Sequence, residues 1–216
     1  MPQPTGRRSA GAAFAFGTGA AIAWNNALLP RLSARGRPLR SGGRAAATLV
    51  FGVVTAAAID GVRSARTTGW AAGSPSPAAL AGVVAGVWGL TNVRSIPREH
   101  PPTRAGVARW VLVEIPLGTA VPEEMLFRGA LARAAVAAVG EPWGSALAAA
   151  AFGLWHVGAA RSAGQRPAVI VGATAAAGLV LSGLVRGTGR VWPAAAAHSA
   201  VNGIGAILTT RSGLRD

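Results

Sequence analysis

PAVIVGATAAAGLVLSGLV, residues 167–185, is an apolar run without a single charge, and it decides how the rest of the chain is read. A helix needs roughly 20 mostly apolar residues to cross the hydrocarbon of a bilayer, and slightly fewer in a packed bundle. Comparable runs occur at 10–29, 45–60, 78–93, 122–139, 143–160 and 191–210. The stretch 105–121 is ambiguous. Trp110, Val111, Leu112, Val113, Ile115 and Leu117 are apolar, but Arg109 and Glu114 interrupt them and Pro116 breaks a helix. It reads either as an eighth span or as a helix lying at the interface. The expected fold is all-α: a polytopic transmembrane bundle of seven or eight helices enclosing a polar cavity. Residues 1–104 supply about three spans and basic loops, 105–210 a helical core, and 211–216 a short tail. Turns fall at 35–38, 74–77 and Pro101-Pro102.

Composition supports that reading. Hydrophobic residues make up 51% of the 216 residues, mean hydropathy is +0.40, and only 13% are charged. Soluble domains carry about a quarter charged residues. The apolar excess has to face lipid. Net charge is +14, and all of the cations are arginine. A nucleic-acid binder would gather them on one basic face. Here they sit between apolar runs, at Arg31, Arg35, Arg37, Arg40 and Arg44, and at Arg94, Arg98, Arg104 and Arg109. That pattern is the positive-inside distribution of a membrane protein, so no nucleic-acid partner is expected. It places the loop 31–44 in the cytoplasm, the loop with Asp60, Arg63 and Arg66 outside, and the Arg94–Arg109 segment back in the cytoplasm. The absence of cysteine removes disulfides, thiolate metal sites and cysteine nucleophiles together.

The chain has seven acidic residues, and two of them, Glu123 and Glu124, are adjacent at the start of an apolar helix, with Arg128 following. Charged groups buried in a bilayer are costly and mark function. Glu124 and Arg128 lie one turn apart on one helix face and can pair. Glu123, about 100° round the helix, escapes that partner and remains available as a base. An ordinary helix start explains the acids alone, since carboxylates and Pro122 both suit a first turn. The histidines weigh against that bland explanation. His100 sits in a polar Pro-rich loop, but His156 and His198 lie within apolar helices, with Phe152 one turn before the first and Asn202 one turn after the second. One such histidine could be mere glue between helices. If 122–139 and 143–160 pack antiparallel, Glu123 and His156 share one membrane level, and His198 with Asn202 can join them.

Three segments carry a family resemblance: Glu123-Glu124-Met-Leu-Phe-Arg128, Phe152-Gly-Leu-Trp-His156 and His198-Ser-Ala-Val-Asn202. In order and placement they resemble the CPBP family, the intramembrane proteases related to the type II C-a-a-X prenyl endopeptidases, over roughly residues 105–210. The resemblance implies an intramembrane endopeptidase that hydrolyses a peptide bond near the membrane surface. In it Glu123 and His156 activate a water, while His198 and Asn202 donate to the oxyanion. Glu124 and Arg128 support the site, and Phe152 packs beneath His156. Its partners are a peptide or protein substrate at the membrane and the lipid bilayer itself. As cofactor it implies either none or a divalent metal such as zinc, for which Glu123, His156 and His198 would be the ligands. The metal-free form is favoured here, because His-Glu-x-x-His is absent and few carboxylates remain to orient metal-bound histidines. The expected setting is a bacterial cytoplasmic membrane, crossed several times. Two other classes use the same polar residues. A non-catalytic scaffold or immunity protein has no need of a water-activating pair facing oxyanion donors. A transporter would show inverted repeats or paired broken helices, and the sequence shows neither.

Overall fold

The structure, a computed structural model, describes residues 4–34, 41–64 and 103–212. The apolar run 78–93, His100, and Arg35, Arg37, Arg40, Arg94 and Arg98 lie outside these residues. Helix α1 covers 4–34: Pro4–Ala23, a π-helical turn at Trp24–Leu28, and Leu29–Ala34. Helix α2 is Ser41–Ser64, and α3 is the long run 104–139. Helices α4 (Trp143–Trp155) and α5 (Val157–Ser162) are separated by His156 alone. Helices α6 (Pro167–Thr188) and α7 (Trp192–Ser212) complete the described residues, among which there is no strand.

The ambiguous stretch 105–121 is neither a separate span nor a detached interface helix: it runs without a break into 122–139. Thr103 starts α3 by accepting the Gly106 N–H on its hydroxyl at 3.1 Å. The run then includes three π-helical turns, Trp110–Glu114, Pro116–Ala120 and Met125–Leu131. Pro116, which predicts a break, is the first residue of one of them, so the wider turns carry the chain past a residue that cannot continue an ordinary ladder. The two interrupting charges answer one another, with Arg109 Nε 3.3 Å from Glu114 Oε1.

Glycines let these helices approach at backbone distance. A Cβ on Gly153 of α4 would lie 2.6 Å from the Val171 carbonyl oxygen of α6. On Gly52 of α2 it would lie 3.0 Å from Cβ of Pro122, the residue before the glutamate pair. Such contacts supply dispersion energy that bulkier side chains would forbid. The centre of the bundle is filled by Leu126, Phe127 and Leu131 of α3 with Ile59, Phe152 and Trp155. The middle of α3 and the end of α4 therefore meet α1 and α2 around one aromatic core, which His198 of α7 touches at the Phe152 ring.

One helix among the described residues, Pro167–Thr188, is long and apolar enough to cross a membrane. Only 17% of its most apolar window is buried, so it is not the hidden core helix of a globular domain. It ends at Gly189, whose left-handed conformation (φ 67°) closes the last turn. Helix α2 contains a shorter apolar stretch, Ala46–Ile59.

Candidate active site

Four ionisable side chains are withdrawn from solvent in one cluster: Glu123 is 5% exposed, Glu124 0%, Arg128 4% and His198 7%. Burying such groups is affordable only where they compensate one another. Arg128 Nη1 lies 3.0 Å from Glu124 Oε1, one turn along α3. Its N–H groups are not aligned for a hydrogen bond, so the contact is coulombic. The guanidinium also sits over the Phe152 ring, 4.0 Å from its centroid. Glu124 Oε1 has a second partner that helix spacing does not show, the His198 Nδ1 of α7 at 2.9 Å. Glu124 is therefore more than a counter-ion to Arg128, since it also fixes the ring of His198.

Glu123 is held differently. Its Oε1 accepts the indole N–H of Trp155 at 3.0 Å, a buried bond between α3 and α4. Its Oε2 makes no hydrogen bond and lies 3.9 Å from His198 Nε2. One carboxylate oxygen is thus anchored while the other is free beside an imidazole nitrogen. Trp155 escaped the sequence reading: an indole N–H favours an acceptor when buried, but the sequence does not say which of the tryptophans is buried beside a carboxylate.

His156 stands in the gap between α4 and α5, half-buried, with φ −87° and ψ 0°. Its Nδ1 is 2.8 Å from the Phe152 carbonyl oxygen. A carbonyl can only accept, so Nδ1 carries the proton, and Nε2 of the neutral ring holds the lone pair. The Phe152 ring meets His156 edge-on at 4.7 Å and His198 edge-on at 5.7 Å, and so stands between the two histidines. No polar contact joins His156 to Glu123 directly. They are linked through Trp155, the residue preceding His156. Asn202 lies half-buried one turn beyond His198, with no side-chain hydrogen bond to any described residue.

Among the described residues no three His, Asp or Glu side chains form a set able to hold a metal ion. Glu123 Oε2 and His198 Nε2 make a two-donor pair, and His198 Nδ1 is already committed to Glu124. The donor arrangement does not fit the three-ligand zinc site of Glu123, His156 and His198.

The described helices thus bury a compensated glutamate–histidine–arginine cluster in which one carboxylate oxygen is left without a hydrogen bond. Comparison with known families gives the class: residues 105–204 match the family described as type II CAAX prenyl endopeptidase Rce1-like, in agreement with the CPBP resemblance of the three motifs. It is a family of membrane-embedded proteases. The match contains Glu123, Glu124, Arg128, Phe152, His156, His198 and Asn202. No curated protein and no solved structure matches the chain.

Proposed function

We propose that this protein is a multi-pass intramembrane endopeptidase, set in a bacterial cytoplasmic membrane, that hydrolyses a peptide bond near the membrane surface without a bound metal. The observation carrying this is the asymmetric holding of Glu123: Oε1 bonded to Trp155, Oε2 free and 3.9 Å from His198 Nε2. Membrane embedding is supported by the family match and the apolar helix Pro167–Thr188.

In this mechanism Glu123 Oε2 takes a proton from water as the water oxygen bonds to the scissile carbonyl carbon. His156, with its lone pair on Nε2, shares in activating that water. The carbonyl π electrons move to oxygen. With Nδ1 engaged by Glu124, His198 offers Nε2 to the reacting atoms and, as imidazolium, donates to the oxyanion together with the Asn202 amide. Collapse of the tetrahedral intermediate breaks the C–N bond. The proton held by Glu123 passes to the leaving nitrogen, giving a free amine and a carboxylic acid. Arg128 keeps the Glu124 charge compensated throughout.

The test is cleavage of a membrane-peptide library by purified protein in lipid, comparing wild type with Glu123→Gln and His156→Ala. Each variant is expected to lose about 10²–10⁴-fold in kcat. Unchanged cleavage in both would sink the assignment. Full activity after exhaustive chelation is expected, and dependence on re-added zinc would overturn the metal-free mechanism.

A further inference from the structure

The break that places His156 is held from outside the segment that matches the protease family. In an uninterrupted α-helix the Gly158 N–H would donate to the Leu154 carbonyl four residues earlier. Here the carboxamide of Asn26 stands between them. Asn26 Nδ2 donates to the Leu154 carbonyl at 3.0 Å, and Asn26 Oδ1 accepts the Gly158 N–H at 2.6 Å. One side-chain amide replaces one rung of the helix. Its neighbour Asn25 donates from Nδ2 to the Trp155 carbonyl at 2.7 Å. Both asparagines belong to the π-helical turn Trp24–Leu28 of α1, which turns two consecutive side chains toward the same neighbour. Insertion into the i→i−4 ladder is an established cause of helix interruption. Gly158 makes room for it: a Cβ there would lie 2.7 Å from Asn26 Oδ1.

The interruption has a chemical consequence at the histidine. The His156 N–H turns to Gly153 O at 3.0 Å rather than to Phe152 O, the acceptor four residues back. That frees the Phe152 carbonyl, which accepts the proton of His156 Nδ1. The backbone of His156 rests in the bridge region, where active-site residues are often found. Immediately before the break, the indole of Trp155, the last residue of α4, bonds Glu123.

We infer that Asn26, with Asn25 beside it, is a positioning residue: its carboxamide opens the helix at His156 and thereby sets that ring as the Nδ1–H tautomer with Nε2 presented as the base. The catalytic consequence rests on the proposed hydrolysis; the tautomer does not. The N-terminal helix is on this account part of the active site and not only a neighbouring span.

The experiment uses the full chain in lipid with ¹⁵N-labelled histidine. The His156 resonances are assigned in a His100→Gln background and by their loss in His156→Gln. Wild type is expected to show the Nδ1–H pattern for His156. Asn26→Leu, of similar volume but unable to bridge, should lose that pattern. It should also lower kcat by about 10-fold or more with little change in KM, as expected for a mispositioned group. Gly158→Ala is the second variant, expelling the wedge without touching an asparagine, and it keeps the idea testable if Asn26→Leu does not fold. An Nε2–H pattern in wild type, or an unchanged Nδ1–H pattern in both variants, overturns the inference. Should wild type cleave nothing, the proposed function fails, and the tautomer readout still decides the role of Asn26.

Discussion

Helices α4 and α6 pack face to face, and both are rich in alanine and glycine, yet the end of α4 and the middle of α6 use their polar groups in opposite ways. In α6 every polar contact of Thr174 and Ser182 stays within the helix. Thr174 bonds Ile170 O at 2.7 Å and Ser182 bonds Gly178 O at 2.9 Å. At the end of α4 the polar groups reach across the bundle. Trp155 bonds Glu123 of α3, and the last carbonyls bond the asparagines of α1. A hydroxyl returned to its own backbone is satisfied without specifying any neighbour. A donor that must find its partner on another helix fixes the relative position of both, and removing it strands a buried group. Arg186, near the end of α6, also crosses, donating to Ser145 of α4 at 2.9 Å, so crossing alone does not mark the site. The crossings that converge on Glu123, Glu124 and the break at His156 mark it, and polarity that closes on itself belongs to the scaffold.

The comparison is most severely tested at Glu124, where one oxygen takes a crossing contact from His198 and a contact from Arg128 of its own helix. Glu124→Gln keeps the volume but leaves the Arg128 guanidinium without its nearest anion and His198 without a charged partner. Breaking a buried pair from one side costs about 3–5 kcal/mol. Thermal unfolding in detergent should drop accordingly, and cleavage should be abolished. A variant as stable as wild type would show that the cluster does not hold the bundle together. Trp155→Phe comes next. It preserves the ring packing against Phe127 (5.5 Å between centroids) while deleting the only donor to Glu123 Oε1 among the described residues. The stranded oxygen should cost roughly 1–3 kcal/mol. Here kcat should fall with KM little altered, because the base is no longer oriented. Loss of stability with kcat intact would make Trp155 a packing residue only.

What could be read from the sequence divides along the same line. The apolar runs at 143–160, 167–185 and 191–210 correspond to helices, since the burial of apolar residues is a local pattern. The Glu124–Arg128 pair was legible too, because i,i+4 spacing fixes it within one helix. The contacts between helices were not. Glu124 and His198 are 74 positions apart, and Asn26 and Gly158 are 132 apart. Which side chains face each other across such separations depends on helix rotation, which each π-helical turn resets. Helix α3 has three such turns, and one of them absorbs the Pro116 that reads as a break. Antiparallel packing puts Glu123 and His156 at one membrane level, but only the rotation of the helices decides that the hydrogen-bond donor to Glu123 is Trp155. Asn25 and Asn26 are conspicuous as two polar residues within the apolar run 10–29. Nothing local indicated that the interruption they cause lies in another helix.

The smallest effect is expected where the comparison predicts none. Ser182 is buried on α6 and close to the Arg128 end of the cluster, so a reading based on location alone would count it as part of the site. Its hydroxyl, however, bonds the Gly178 carbonyl of its own helix. That carbonyl is already an acceptor in the helical ladder and loses nothing essential when the hydroxyl is removed. Ser182→Ala also deletes a polar atom from an apolar environment and raises helix propensity slightly. The net change should stay within about 0.5 kcal/mol, with kcat and KM unaltered. Thr174→Ala should behave alike, apart from the loss of one methyl contact. If Ser182→Ala instead lowered kcat tenfold with stability intact, the hydroxyl would have to serve Arg128 or the substrate, and bonding within a helix would no longer distinguish scaffold from site.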